Sequence, residues 1–383
     1  MNDAMDPEIT LYIHWPFCLK KCPYCDFNSH VGDAVDHRRW RAALLAELAY
    51  FASETKGRRL TGIFFGGGTP SLMEAETVAQ VIAMARRHWP AADDVEITLE
   101  ANPTTVEAAL FEDFRRAGVN RLSLGIQSFD DRALEFLGRT HGGAEAARAF
   151  ALASEIFPRS SFDLIYARPG QTAASWRDEL ERAAAMTVGH LSLYQLTVER
   201  GTEFAKQGVL EAAEPTAAAL YEITQECLAS ANLNAYEISN HAKPGDECRH
   251  NLAIWRGGDY VGVGPGAHGR LRNHGRTDAC RQIPRPDRWL NAVERTGHGT
   301  ANRTTLGDEE RAEEILMTGL RLTTGIEHQT FHSAAGRTFE ETIERGRLEP
   351  LIDGGFLVLD DDGLRATAAG LPRLNAVIAA LLA

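Results

Sequence analysis

Three cysteines crowd together near the start of this 383-residue chain, at Cys18, Cys22 and Cys25, a C-x3-C-x2-C on one short loop. Thiolates are soft ligands, and three on one loop can hold three corners of a [4Fe–4S] cube, leaving the fourth iron open to an exogenous ligand. A structural zinc would instead ask for four protein ligands, with His14, Asp26 or His30 available as the fourth. Further along come Gly66-Gly67-Gly68-Thr69-Pro70, Glu100-Ala101-Asn102-Pro103 and Gly125-Ile126-Gln127-Ser128, followed by an isolated Asp163. Glycines without a Cβ let backbone groups approach a ligand closely, and carboxylates accept from hydroxyl or amino donors.

The elements that must position these residues are legible as alternating runs. Six short apolar stretches, Ile9 to His14, Leu60 to Phe65, Asp94 to Leu99, Arg121 to Ile126, Ser161 to Tyr166 and His190 to Leu196, read as strands. Between them, Asp36 to Ala52, Glu74 to His88, Val106 to Ala117, Ala144 to Ile156 and Ala173 to Met186 carry apolar residues at helical spacing. Six βα units in series predict a partial (β/α)6 barrel, an α/β fold whose site lies in the loops at the carboxyl ends of its strands. Every chemically suggestive segment named above falls on that one rim.

These motifs together resemble the radical S-adenosylmethionine superfamily. Tyr12-Ile13-His14-Trp15-Pro16-Phe17-Cys18, Cys22 to His30, Glu100 to Pro103, Leu124 to Ser128 and Asp163-Leu164-Ile165-Tyr166 are similar to its coproporphyrinogen dehydrogenase (HemN) branch over almost the whole chain. The resemblance implies a [4Fe–4S] cluster on Cys18, Cys22 and Cys25, with S-adenosylmethionine chelating the open iron. It also implies that Tyr12, Gly67, Gly68, Thr69, Glu100, Gln127, Arg139 and Asp163 line the S-adenosylmethionine site, Arg139 pairing with the methionine carboxylate. No residue is assigned a catalytic role. The oxygen-independent decarboxylase of this branch has a longer N-terminal segment and a further cysteine two residues after the third. Here that position is Phe27, and 17 residues precede Cys18. Both departures match the HemW group, whose members look like haem chaperones. The alternative expectation is radical decarboxylation of the propionates of coproporphyrinogen III.

His250-Asn251-Leu252-Ala253-Ile254-Trp255 is similar to the H-N-x-x-Y-W motif that this group associates with haem, Ile254 standing where the tyrosine is usual. Imidazole is a good axial ligand of haem iron, so His250 is the expected ligand and His268 a second candidate. Arg270 and Arg272 are candidates for pairing with haem propionates. Cys227, Cys248 and Cys280 have no metal-ligand spacing and read as ordinary thiols.

Composition bounds the rest. Hydrophobic residues make up 44% and charged residues 24%, the profile of an ordinary globular protein rather than a disordered or fibrous one. Lys+Arg 40 against Asp+Glu 53 leaves a net charge of −13, which disfavours nucleic acid as a partner. No apolar run reaches the roughly 18 to 20 residues of a membrane span, and the acidic Met1 to Glu8 does not read as a secretory signal, so the expectation is a cytoplasmic protein without stable membrane insertion. From Arg249 to Arg288 eight Arg and three Asp give 8 − 3 = +5, whereas from Thr305 onward seven Arg and fourteen acidic residues give 7 − 14 = −7. The break predicts three parts: a barrel over 1–235, a Gly- and Arg-rich connecting region over 236–304, and a helical, winged-helix-like C-terminal domain over 305–383. The partners implied by the resemblance are haem and acceptor haem proteins of respiratory or storage type, with a second copy of the chain, as a homodimer, a further candidate.

Overall fold

The computed structural model describes residues 7–32, 35–273 and 275–383. Met1 to Asp6, the greater part of the acidic start weighed above, lies outside the described residues. Six parallel strands, β1 (Glu8–Trp15), β2 (Arg59–Gly67), β3 (Ala91–Ala101), β4 (Arg121–Gln127), β5 (Arg159–Tyr166) and β6 (His190–Gln195), lie side by side in chain order. Helices α1 (His37–Glu54), α2 (Ala75–His88), α3 (Phe111–Ala117), α4 (Gly143–Ile156) and α5 (Ala173–Met186) connect them, and α6 (Glu214–Ser230) follows β6. The strands match the six expected runs to within three residues at each end. The expected helix from Val106 to Ala117 is broken: a turn over Thr105–Ala108 ends at Ala109 before α3 begins, and Val106 is 76% exposed.

The local reasons for these elements are visible in the sequence. Asp36 caps α1 by accepting from the backbone N–H of Arg39, and Thr172 and Ser175 form a capping box at the start of α5. Along each strand the side chains alternate. One face carries Ile9, Leu11 and Ile13, Ile63 and Phe65, Val95, Ile97 and Leu99, Leu122 and Leu124, and Phe162 and Leu164, nearly all of them inaccessible to solvent and packed in one core with the helices. Each such side chain stabilises the fold by roughly 1.5–3 kcal/mol. The opposite face carries Tyr12 and His14, Glu96, Thr98 and Glu100, Arg121 and Ser123, Ser161 and Asp163, and His190, Ser192 and Tyr194. A parallel sheet with helices on one side and a polar inner face is the frame of a site.

The sheet does not close on itself. Past β6 it continues through β7 (Asn240–Ala242), which runs antiparallel, to a short strand at Asn234–Ala235. Past β1 it continues through β8 (Tyr260–Val263), β9 (His268–Asn273), β10 (Arg276–Gln282) and β11 (Thr300–Thr305), giving twelve strands in all. Residues of the connecting region therefore belong to the barrel sheet, and Trp289, Leu290 and Val293 join its core. Buried Glu47 of α1 fixes that junction by accepting from the backbone N–H of Gly264 (2.8 Å) and of Gly299 (2.6 Å) and from Trp289 Nε1 (3.0 Å).

From Asp308 onward the chain builds a second core of its own, around Ile315, Leu316, Phe331, Leu364 and Val377. Helices precede a small antiparallel hairpin, Leu357–Leu359 with Gly363–Ala366, and a last helix, Leu374–Leu382, closes it. The mixed α/β fold with a smaller helical C-terminal domain thus stands as expected. No helix among the described residues is long and apolar enough to cross a membrane.

Candidate functional site at the carboxyl ends of the strands

The cysteine loop follows β1 and hangs over the carboxyl ends of the parallel strands, where a cavity of ≈590 Å³ opens. Cys18, Cys22 and Cys25 line it together with Gly67, Gly68, Thr69, Glu100, Gln127, Arg139 and Asp163. Seven of the eight residues expected around S-adenosylmethionine therefore meet on one cavity with the three cysteines. Tyr12 is not among its lining residues. Its hydroxyl donates to His14 Nδ1 at 3.0 Å, and its ring stacks on Phe64 and His250.

Each cysteine sulfur has a hydrogen-bonding neighbour. Thr69 Oγ1 donates to Cys18 Sγ at 3.4 Å, Arg139 Nη1 donates to Cys22 Sγ at 3.3 Å, and Ser29 Oγ stands 3.7 Å from Cys25 Sγ. Polar neighbours that can stabilise thiolates stand at all three sulfurs, so the residues present fit that group. The single-ion alternative fits less well: both ring nitrogens of His14 are engaged, Nδ1 by Tyr12 and Nε2 by the Asn28 carbonyl at 3.0 Å. Among the described residues no three His, Cys, Asp or Glu side chains are grouped as one metal ion needs.

The glycine segment comes close to the cysteine loop through its backbone. Gly67 has φ +114°, and a Cβ there would stand 2.6 Å from the His14 ring; one on Gly68 would stand 2.7 Å from the Phe17 carbonyl oxygen. Neither position admits a side chain without displacing the loop. The Gly67 N–H in turn donates to Glu100 Oε2 at 3.2 Å. Glu100 and Asp163 face each other across the inner sheet, and burial first, then for Glu100 the charge of Asp163, pushes both carboxyls above their ordinary range. Ser123 Oγ donates to Asp163 at 3.4 Å.

Gln127 ends β4 with φ +73°, a conformation that costs a non-glycine residue about 1 kcal/mol or more, and its buried Oε1 finds no partner among the described residues. Arg139 is half-buried; Nη2 donates to Asn102 Oδ1 (2.5 Å) and the Gly125 carbonyl (2.8 Å), while its buried Nε is unpartnered among the described residues. The strained Gln127 lines the cavity, and such backbone outliers collect at ligand sites.

Two residues the sequence reading passed over complete the set. Asn102 joins Arg139 to Thr69, donating to Thr69 Oγ1 at 3.3 Å, although the motif containing it had been noticed. Asn28 ties the cysteine loop to the connecting region by donating to the carbonyls of Pro265 and Pro284, both at 2.9 Å. No local sequence signal announces that contact, which spans more than two hundred residues.

His250 lies elsewhere. It sits on α7 (Arg249–Trp255), 4% exposed, its ring stacked on Phe64 at 4.8 Å and Tyr12 at 6.0 Å within the inner face of the sheet. Burial drives its pKa down to about 3, so the ring is neutral, and Nδ1 has no partner among the described residues. His268 is exposed on β9. Arg270 is bound to Glu314 of the C-terminal domain, its Nε to Oε1 at 2.7 Å, which removes it from the expected pairing with an external carboxylate; Arg272 remains exposed.

The family model for the radical SAM superfamily matches residues 12–183, and that for the HemN C-terminal domain matches residues 306–373. The chain is 40% identical over 97% of its length to the bovine protein "Radical S-adenosyl methionine domain-containing protein 1, mitochondrial", of which it covers 87%. It is 37% identical over 98% of its length to the Escherichia coli protein "Heme chaperone HemW", covering 99% of that chain. In fold it is similar to the E. coli coproporphyrinogen III oxidase HemN, with a TM-score of 0.83 at 21% identity over 98% of this chain and 90% of that one. A matched C-terminal domain, a matched core and near full-length relatives agree: the chain belongs to the radical SAM superfamily, within the branch that holds HemN and HemW.

Proposed function

We propose that this protein is a haem chaperone of the HemW type, which binds haem and passes it to acceptor haem proteins. The observation that carries this reading is the end-to-end likeness to a protein named heme chaperone, together with a cavity whose residues fit a cluster and its cofactor. In this reading Cys18, Cys22 and Cys25 hold a [4Fe–4S] cluster, and Gly67, Gly68, Thr69, Glu100, Gln127, Arg139 and Asp163 hold S-adenosylmethionine. The bound pair supplies one-electron chemistry at the sulfonium. The chain's own residues do the rest: the glycines admit the ligand's polar groups to backbone contact, Glu100 and Asp163 accept from its hydroxyl or amino donors, and Arg139 holds Cys22 and Asn102 in place.

His250 is the proposed iron ligand. Its ring is kept neutral by burial, which preserves a lone pair for iron, but reaching it requires α7 to move away from Phe64 and Tyr12. The barrel and the connecting region share one sheet and one core, the C-terminal domain divides from them near residue 305, and a reducing compartment such as the cytoplasm suits the free thiols.

The test is an anaerobic incubation of the cluster-loaded protein with reductant, S-adenosylmethionine and coproporphyrinogen III, followed by haem titration of the wild type and His250→Ala. The expected result is intact coproporphyrinogen, haem bound by the wild type and handed to an apo haem protein, and weakened binding by the variant. Repeated decarboxylation of coproporphyrinogen would replace this reading with that of a porphyrin-pathway enzyme.

A further inference from the structure

At the opposite end of the sheet, where β1, β2 and β3 begin, lies a second cavity of ≈560 Å³. It shares no lining residue with the cysteine cavity. One wall is the outer face of α7: Arg249, Leu252, Ala253 and Arg256 recur at helical spacing on it, while His250 of the same helix points to the barrel interior. Arg272 and Arg311 close the cavity from β9 and from the first helix of the C-terminal domain.

Two features distinguish it from an incidental crevice. In a chain of net charge −13, the lining gathers five arginines, Arg59, Arg249, Arg256, Arg272 and Arg311, against three carboxylates, Glu8, Asp94 and Asp259. The side chains of Arg256 and Arg272 make no hydrogen bond or ion pair among the described residues, whereas Arg59 pairs with Glu8 and Arg249 with Asp94.

We infer that this cavity is a second ligand site, which takes a molecule with an apolar body and two carboxylates, held by Arg256 and Arg272. Resting on the chaperone reading, the inference names that molecule as the transported tetrapyrrole and its recognised groups as the two propionates. The volume lies in the range of cavities that enclose ligands of that order of size. Leu252 and Ala253 offer apolar contact, and guanidinium groups pair well with carboxylates. Occupation from this side would put the ligand against α7 without entering the space that the cluster and S-adenosylmethionine share. The helix that carries His250 would then be the partition between the two.

The experiment titrates the cluster-loaded full chain with ferric haem, comparing the wild type, Arg256→Gln/Arg272→Gln and His250→Ala. Haem dimethyl ester, which lacks the charged propionates, is titrated in parallel. Because both arginines are exposed and unpaired, the double variant is expected to keep the wild-type unfolding midpoint. Its haem affinity should fall on the order of tenfold per arginine. The ester should bind the wild type as weakly as haem binds the double variant, and the double variant should no longer discriminate between haem and ester. If the double variant binds haem as the wild type does while His250→Ala weakens binding, the second site is overturned and the chaperone reading stands. If the wild type binds no haem, both fall.

Discussion

The burial of His250 has a consequence that can be measured without any ligand. Its pKa falls from the ordinary 6.5 to about 3 because the ring loses its water between Phe64 and Tyr12 and lies in the field of Arg121. A group whose folded pKa is depressed binds protons better in the unfolded chain, so acid favours unfolding. For a histidine the stability is intact above about pH 6.5 and is lost progressively as pH falls towards 3. At pH 4 the unfolded ring is protonated and the folded one is not; 2.5 pH units at 1.36 kcal/mol each make the loss about 3 kcal/mol. Other buried histidines, His14, His141, His190 and His241, have lowered pKa values and add to the wild-type slope. The isolating perturbation is therefore His250→Phe, which keeps an aromatic ring in the stack and removes only the titration. Urea midpoints of both proteins between pH 7.5 and 4 give the difference directly. The variant should lose about 3 kcal/mol less than the wild type over that range. Parallel pH profiles would refute the placement of His250 in a dry stack, and with it the argument that its ring is neutral by burial.

Four other outcomes follow from particular contacts. Glu47→Ala leaves three buried N–H groups without an acceptor, at about 1–3 kcal/mol each, and should lower the urea midpoint severely; a loss under 1 kcal/mol would show that the junction does not depend on that carboxylate. Ala167, fully buried after β5, has φ +57°, so Ala167→Gly should raise stability by about 1 kcal/mol through relief of strain, and a destabilised variant would contradict the assigned backbone. Arg139→Gln removes the donor to Cys22 and the tie to Asn102, and should lower iron and sulfide content after anaerobic reconstitution while Arg132→Gln, on the surface nearby, should not. Asn28→Ala unties the cysteine loop from Pro265 and Pro284, and should speed loss of iron to a chelator at unchanged far-ultraviolet circular dichroism; equal rates would mean the loop needs no such anchor.

The strands were legible because Val95, Ile97 and Leu99 or Leu122, Leu124 and Ile126 form strong apolar signals between helical patterns, and such signals survive any tertiary context. What those runs concealed was the significance of the residues between them. Glu96, Thr98 and Glu100 alternate with the apolar set, and only the assembled sheet shows that all of them face one interior. The break at Ala109 is hidden in the sequence because Val106 and Leu110 are apolar yet exposed, so the pattern mimics an amphipathic helix. The charge count over the connecting region was correct but silent about partners: Arg270 and Arg249 find Glu314 and Asp94 far away in sequence. Cysteine spacing and the glycine turn were readable since their chemistry is local. Asn28, Tyr12 and Glu47 act across long sequence distances, and nothing in their neighbourhoods announces it.

A twelve-stranded sheet left open has two free margins, each an invitation for another chain to add a strand. On one margin β11 reads Thr-Ala-Asn-Arg-Thr-Thr, exposed at five of its six positions. Its Arg303 is held by Glu54 on one side and Asp278 on the other, at 2.7 and 2.9 Å, so the charge cannot swing aside to let a neighbour dock. The opposite margin is the two-residue strand Asn234–Ala235, too short to template an intruder. The molecule therefore keeps a wide, unclosed platform for its site, with a fixed charge on one margin and a strand of two residues on the other.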